Sequence, residues 1–282
     1  MVERLLATAE TPGCFPLCVL CVSVVNDLRL PQRHRGHREG YPPSMRVYIE
    51  PDLDALARRA AGCVADVLLA TPGAVLALPT GRTPLGLYRE LVRMHHENHL
   101  DFSASRVFSL DEYIGVPPTD VRSFHSYLRE HFLSRVNVLP DNVHLLPSSA
   151  DDNDCEDYET AIREAGGIDL LIAGVGTNGH IAFNEPGAAL DSRTRIVALE
   201  QSTLAGMRAV FGHEDMPTQA VTMGLATILE ARKILVLASG QMKRNALAGL
   251  LRGPVTAENP VSAVRLHADT TVVADRDASL SE

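Results

Sequence analysis

Ile168-Asp-Leu-Leu-Ile-Ala-Gly-Val175, continued at once by Gly176-Thr-Asn178-Gly-His180-Ile-Ala-Phe-Asn-Glu185-Pro186, reveals the fold class of this chain. Its first eight residues are almost wholly apolar. A strand with one face in water alternates apolar and polar residues, whereas a continuous apolar run needs cover on both faces, as inside a parallel sheet. The loop after it is rich in glycine and delivers an imidazole, with a carboxylate five residues later. Histidine suits proton transfer near neutral pH, and a neighbouring glutamate orients it.

On either side of this segment, the same alternation of buried runs and helical periodicity recurs. Ala74 to Leu78, Arg106 to Leu110, Asn142 to Leu146 and Lys233 to Ala238 read as further strands. Helical spacing of apolar residues predicts helices over Leu53–Leu69, Pro84–His96, Ser123–Val136, Asp154–Ala165 and Gln241–Leu251. Ala220 to Leu229 reads as a helix or a loop entering one. Strands alternating with helices imply an α/β fold. It is a doubly wound, mainly parallel sheet with helices on both faces, a Rossmann-like single domain. In such sheets ligands sit outside the carboxyl ends of the strands.

The residues just past each strand are therefore informative. After Leu78 comes Pro79-Thr80-Gly81-Arg82-Thr83-Pro84. Thr83 is the expected N-cap and Pro84 the expected first helical residue, so the exposed N–H groups of that turn form an anion site. An ordinary capped turn would look the same. After Leu110 comes Asp111-Glu112-Tyr113, where two adjacent carboxylates point different ways and one can face the crevice. After Ala238 comes Ser239-Gly240-Gln241-Met242-Lys243. A cation in the first turn of a helix opposes the helix dipole, so Lys243 is easier to explain as a ligand contact. Two helix N-termini and Lys243, beside a His, an Asp and a Glu, suit aldose–ketose chemistry on a sugar phosphate.

Composition narrows the partners. The chain has 282 residues, 45% of them hydrophobic, and a formal net charge of −9. That charge argues against nucleic acid, whose phosphates need a basic surface. The five cysteines are irregularly spaced, which fits reduced thiols in the cytoplasm better than a disulfide framework. The His, Asp and Glu residues lack the spacing of metal ligands.

Residues 1–44 differ in character. A 12-residue apolar run from Cys14 to Val25 is too short to span a bilayer, so no membrane association is expected. Glu3 and Glu10 spoil the basic flank of a signal peptide, and no small-residue cleavage site comes after the run. Cys14, Cys18 and Cys21 match the spacing of a radical iron–sulfur motif, but the barrel strand that precedes such a motif cannot fit in thirteen residues. The expected division is a disordered or artefactual extension over 1–44 and one catalytic domain over 45–282.

From Met45 onward the chain resembles the glucosamine-6-phosphate deaminase family, in motifs that run in order. They are Leu78-Pro-Thr-Gly-Arg-Thr-Pro84, Leu110-Asp-Glu-Tyr113, Asn178-Gly-His-Ile-Ala-Phe-Asn-Glu-Pro186, Ser192-Arg-Thr-Arg195, Thr222-Met-Gly224 and Ser239-Gly-Gln-Met-Lys243. The resemblance implies that glucosamine 6-phosphate is converted to fructose 6-phosphate and ammonia without a cofactor or metal. Asp111 would move a proton between C2 and C1, and His180 would open the pyranose ring. Glu185 would orient His180, with Asn178 hydrogen-bonding where some members carry Asp. Thr80, Gly81, Arg208 and Lys243 would bind the phosphate; Arg208 stands fourteen residues before Thr222. The galacto epimer, or 6-phosphogluconolactone with the same fold, is the rival substrate. The lactonases favour Arg where Tyr113 stands. Sugar-phosphate-sensing regulators share the fold but add a helix-turn-helix, a pattern absent from residues 1–44. Some members bind an activating N-acetylated sugar phosphate at a subunit interface. Here the hydroxyl positions of that site are Ala188 and Ala189, its Lys position is Val197, and Arg195 remains. The family leaves both monomer and homo-oligomer open.

Overall fold

The computed structural model describes residues 45–211 and 216–279. The expectations for 1–44 lie outside the described residues. Seven parallel strands form the main sheet: β1 (Met45–Glu50), β2 (Val75–Leu78), β3 (Arg106–Ser109), β5 (Val143–His144), β6 (Leu170–Gly174), β9 (Ile234–Ala238) and β10 (Thr270–Asp275). Their order across the sheet is β1-β10-β9-β6-β2-β3-β5. The chain winds outward from β2 through β3 to β5, returns to place β6 against the other side of β2, and then winds the opposite way through β9 and β10. This is double winding with its switch point between β2 and β6, and a crevice opens there at the carboxyl ends.

The apolar runs explain the layering. Along β2, Val75 and Ala77 join the core on one face while Leu76 and Leu78 join the core on the other. Along β6, Leu171 and Ala173 face the first core, and Leu170 and Ile172 the second. A strand buried on both sides can spare no polar position. Helices α1 (Leu53–Ala70), α2 (Arg82–Asn98) and α3 (Phe124–His131) cover the second face through Leu56, Leu87, Leu91 and Leu128. Helices α4 (Asp152–Glu164), α6 (Leu225–Leu229) and α7 (Arg244–Arg252) cover the first through Tyr158, Ile162, Ile228 and Leu250. Side-chain caps set several helix starts: Asp52 accepts from the Ala55 N–H, Ser123 from Ser126, and Asp151 forms a capping box with Asp154.

A three-stranded antiparallel sheet, β4 (Asp111–Tyr113), β8 (Gln219–Thr222) and β7 (Arg195–Ala198), stands beyond the end of β3. It corrects the expectation for Ala220–Leu229, whose first residues are strand. Val221 and Met223 enter the core there, and only Leu225–Leu229 is helix. Helix α5 (Gln201–Phe211) comes after β7 and packs Leu204, Met207 and Phe211 onto Tyr113 and Phe183.

Two helix starts also differ from expectation. Gly81, at φ 109°, is the N-cap of α2, with no side-chain cap bond, so Thr83 lies inside the helix and Pro84 is its third residue. Gln241–Lys243 is a 3-10 turn, and Lys243 caps α7 rather than lying within it.

Candidate functional site

The centre of the site is the loop after β6. Gly176 and Gly179 form its tight turn: the Gly176 N–H donates to the His180 carbonyl at 2.8 Å, and Gly179 adopts φ 87°. His180 folds back over Gly176 so closely that a Cβ there would stand 2.3 Å from the imidazole Cδ2. The imidazole Nδ1 lies 3.1 Å from Glu185 Oε2. Asn178 Nδ2 donates to the same oxygen at 2.7 Å, and its Oδ1 accepts the His180 N–H at 3.2 Å. With Nδ1 committed to Glu185, Nε2 is the nitrogen left for a substrate. Burial pushes the Glu185 carboxyl upward, but the hydrogen bond and charge of His180, with Thr203 and Asn178, outweigh it and hold the pKa below the ordinary value.

Two members of this cluster were not legible in sequence. Thr203 Oγ1 donates to Glu185 Oε1, and Ser202 Oγ accepts from Asn178 Nδ2 at 3.1 Å. Both stand at the start of α5, which is thereby tied to the His180–Glu185 pair. Hydroxyl residues in an ordinary helix give no local sign of such a partner. Asn184 is fully buried and fastens the other end of the loop: its Nδ2 donates to the Ile181 and Met223 carbonyls, and its Oδ1 accepts from Arg195 at 3.0 Å.

Asp111 and Glu112 do diverge, as expected. Glu112 is fully buried and accepts three backbone N–H groups, from Tyr113 at 2.8 Å, Phe124 at 3.0 Å and His125 at 2.9 Å. It thereby fixes the start of α3. The Asp111 carboxylate makes no hydrogen bond or ion pair among the described residues. Burial, with the Glu112 charge beside it, pushes its pKa to about 8. The β4–β8 register sets Asp111 opposite Thr222, whose hydroxyl accepts the Phe183 N–H at 3.1 Å, so Asp111 and the His180 loop flank the same strand end.

Around this centre lie the other candidates. Thr80 is half-buried and Gly81 exposed at the end of β2, next to β6 in the sheet. Tyr127 and Tyr88 donate to the Gly81 and Pro79 carbonyls, each at 2.6 Å, which pins the turn. Lys243 lies just past β9, the other neighbour of β6. It is half-buried, makes no ion pair among the described residues, and its pKa is lowered by burial. Arg208 stands on the last turn of α5, exposed, and bonds to none of the other candidates among the described residues. The hydrogen bonds thus gather Asn178, His180 and Glu185 into one cluster. The sheet order brings Thr80, Gly81, Asp111 and Lys243 to its rim.

Comparison with known proteins identifies the family. The family model of glucosamine-6-phosphate isomerases/6-phosphogluconolactonase matches residues 51–273. This chain belongs to that family. A glucosamine-6-phosphate deaminase from Halothermothrix orenii is 41% identical over 83% of this chain and 99% of its own. The solved structure of a monomeric glucosamine-6-phosphate deaminase superposes with a TM-score of 0.81 at 38% identity, covering 83% of this chain and 98% of the other. A 6-phosphogluconolactonase from Thermotoga maritima shares the fold, with a TM-score of 0.66 at 24% identity over 82% of this chain and 100% of the other. The doubly wound sheet is the fold that this chain shares with both solved structures. Among the described residues, no helix is long and apolar enough to cross a membrane, and no group of three or more His, Cys, Asp or Glu side chains is arranged to hold a metal ion.

Proposed function

We propose that this member of the family deaminates and isomerises glucosamine 6-phosphate to fructose 6-phosphate and ammonia, in the cytoplasm, as a step of amino-sugar breakdown. The observation that carries the reading is the pairing of a Glu-oriented imidazole with a buried carboxyl that has no hydrogen-bond partner among the described residues, at one strand-end crevice. His180 moves a proton from O1 to O5 and opens the pyranose ring. Asp111 then takes the C2 proton and delivers it to C1. The imine left at C2 is hydrolysed by water, which releases ammonia. A carboxyl with a pKa near the working pH both accepts and returns a proton readily. Thr80, Gly81, Lys243 and Arg208 hold the phosphate, the first two through the N-terminal turn of α2.

Tyr113 favours the deaminase over the lactonase. It packs 4.4 Å from Phe124, 5.5 Å from Phe183 and 5.2 Å from Phe211 between ring centroids. An arginine there would bury a charge among aromatic rings. The reading is tested with His180→Gln on glucosamine 6-phosphate and on an acyclic analogue fixed in the open-chain form. Turnover of the closed ring should fall far more than that of the acyclic analogue. Equal slowing of both would remove ring opening from His180.

A further inference from the structure

The turn that presents Lys243 is clasped from a part of the chain that carries none of the family's motifs. Asp275 is the last residue of β10, and the register Ala274↔Ala238 sets it beside Ser239, one residue past the end of β9. The residue is 5% exposed, and its carboxylate holds three donors. Oδ2 accepts from the Ser239 hydroxyl, and Oδ1 accepts from the Gly240 N–H at 3.0 Å and the Ala278 N–H at 2.8 Å. Gly240 adopts φ 85°, a conformation that side-chain-bearing residues rarely take, and its carbonyl then accepts the Lys243 N–H at 3.0 Å. On the far side of Lys243, Arg244 Nε donates to the Asp277 carbonyl at 2.7 Å. The turn 275–278 therefore grips the backbone before the lysine and the Arg244 side chain after it.

We propose that Asp275 is a positioning residue for substrate phosphate: from the end of β10 it fixes the Ser239–Gly240 backbone and so aims Lys243 into the crevice. The proposal rests on the reading of Lys243 as a phosphate ligand. A lysine side chain has many rotamers, and a fixed root confines the search of its ammonium group. A carboxylate suits the task because one group accepts three donors, and charge strengthens each bond.

The test compares Asp275→Asn, Ser239→Ala and Lys243→Ala, and the double variant D275N/K243A, in steady-state assays with glucosamine 6-phosphate and with inorganic phosphate as a competitive inhibitor. Melting temperatures confirm folding. Asp275→Asn should raise KM by about three- to tenfold and weaken phosphate inhibition in parallel, with kcat within about twofold, the signature of lost binding rather than lost chemistry. Ser239→Ala, which removes one bond and no charge, should raise KM by about twofold. In the K243A background, Asp275→Asn should add nothing further to KM, because the group it aims is gone. An equal KM rise from Asp275→Asn with and without Lys243, or a fall in kcat at unchanged KM, would overturn the positioning role. If Lys243→Ala raises KM and Asp275→Asn does not, only the positioning role fails. If Lys243→Ala leaves KM unchanged, the reading of Lys243 fails and the proposal with it. Should Asp275→Asn not fold, an unchanged KM in Ser239→Ala overturns the proposal.

Discussion

At the residue scale, Asp111 and Glu112 show how neighbouring carboxylates are driven to different tasks by what surrounds them. Glu112 spends its oxygens on three backbone N–H groups. Asp111 accepts none among the described residues, and burial, with the Glu112 charge beside it, raises its pKa from the ordinary 3.8 to about 8. Between those values the folded chain binds more protons than the unfolded chain, so this group lowers stability as pH rises through that window. Asp111→Asn removes the burden. The variant should gain melting temperature relative to the parent as pH goes from about 4 to about 8, while turnover falls at least about 10²-fold, as for loss of a general base. Near-normal turnover, or a stability difference that does not change with pH, would contradict the assignment. The His180–Glu185 pair was readable from its five-residue spacing in a glycine loop. Thr203 and Asp275 were not, because their partners lie 18 residues away in the first case and 36 in the second.

At the scale of elements, the strands buried on both faces were legible, since β2, β6 and β9 allow no polar position. β10 was missed because it opens with two threonines. Their hydroxyls are satisfied only in the fold, Thr270 donating to the Val264 carbonyl at 3.0 Å and Thr271 accepting from Arg46. β4 is three polar-leaning residues that exist as strand only because β8 pairs with them. α5 contains Gly206 and gains its place from distant aromatic residues. Long-range packing decides such elements, and local pattern does not carry it. The loop after β6 gives the sharpest test among the elements. Gly176→Ala would place a Cβ 2.3 Å from the imidazole, against the His180 ring rather than in the core. Circular dichroism and melting temperature should stay near the parent's, while turnover drops by about 10²-fold or more, as expected for a misplaced proton-transfer group. A fully active variant would show that His180 need not lie over Gly176.

Across the whole molecule, the switch point between β2 and β6 collects the site, and the antiparallel sheet β4-β8-β7 with α5 forms one wall of it. Arg195 is drawn into that wall. It is half-buried and donates to Asn184 Oδ1 and, at 3.3 Å, to the Arg193 carbonyl. It therefore supports the Asn-Glu-Pro loop and lacks the hydroxyl and lysine companions of a second sugar-phosphate site, since Ala188, Ala189 and Val197 stand there. A bound dianion needs several charge-assisted bonds, and activation needs differential affinity between two states. Substrate saturation should accordingly be hyperbolic and unchanged by N-acetylglucosamine 6-phosphate. Sigmoidal curves that straighten on its addition would place an activating site on other residues. The decisive assay of the deaminase reading is ammonia release from glucosamine 6-phosphate alongside its galacto epimer, with hydrolysis of 6-phosphogluconolactone measured in parallel. Ammonia and fructose 6-phosphate should form from the gluco substrate at the highest kcat/KM of the three. Hydrolysis of the lactone without ammonia from either amino sugar would contradict that reading.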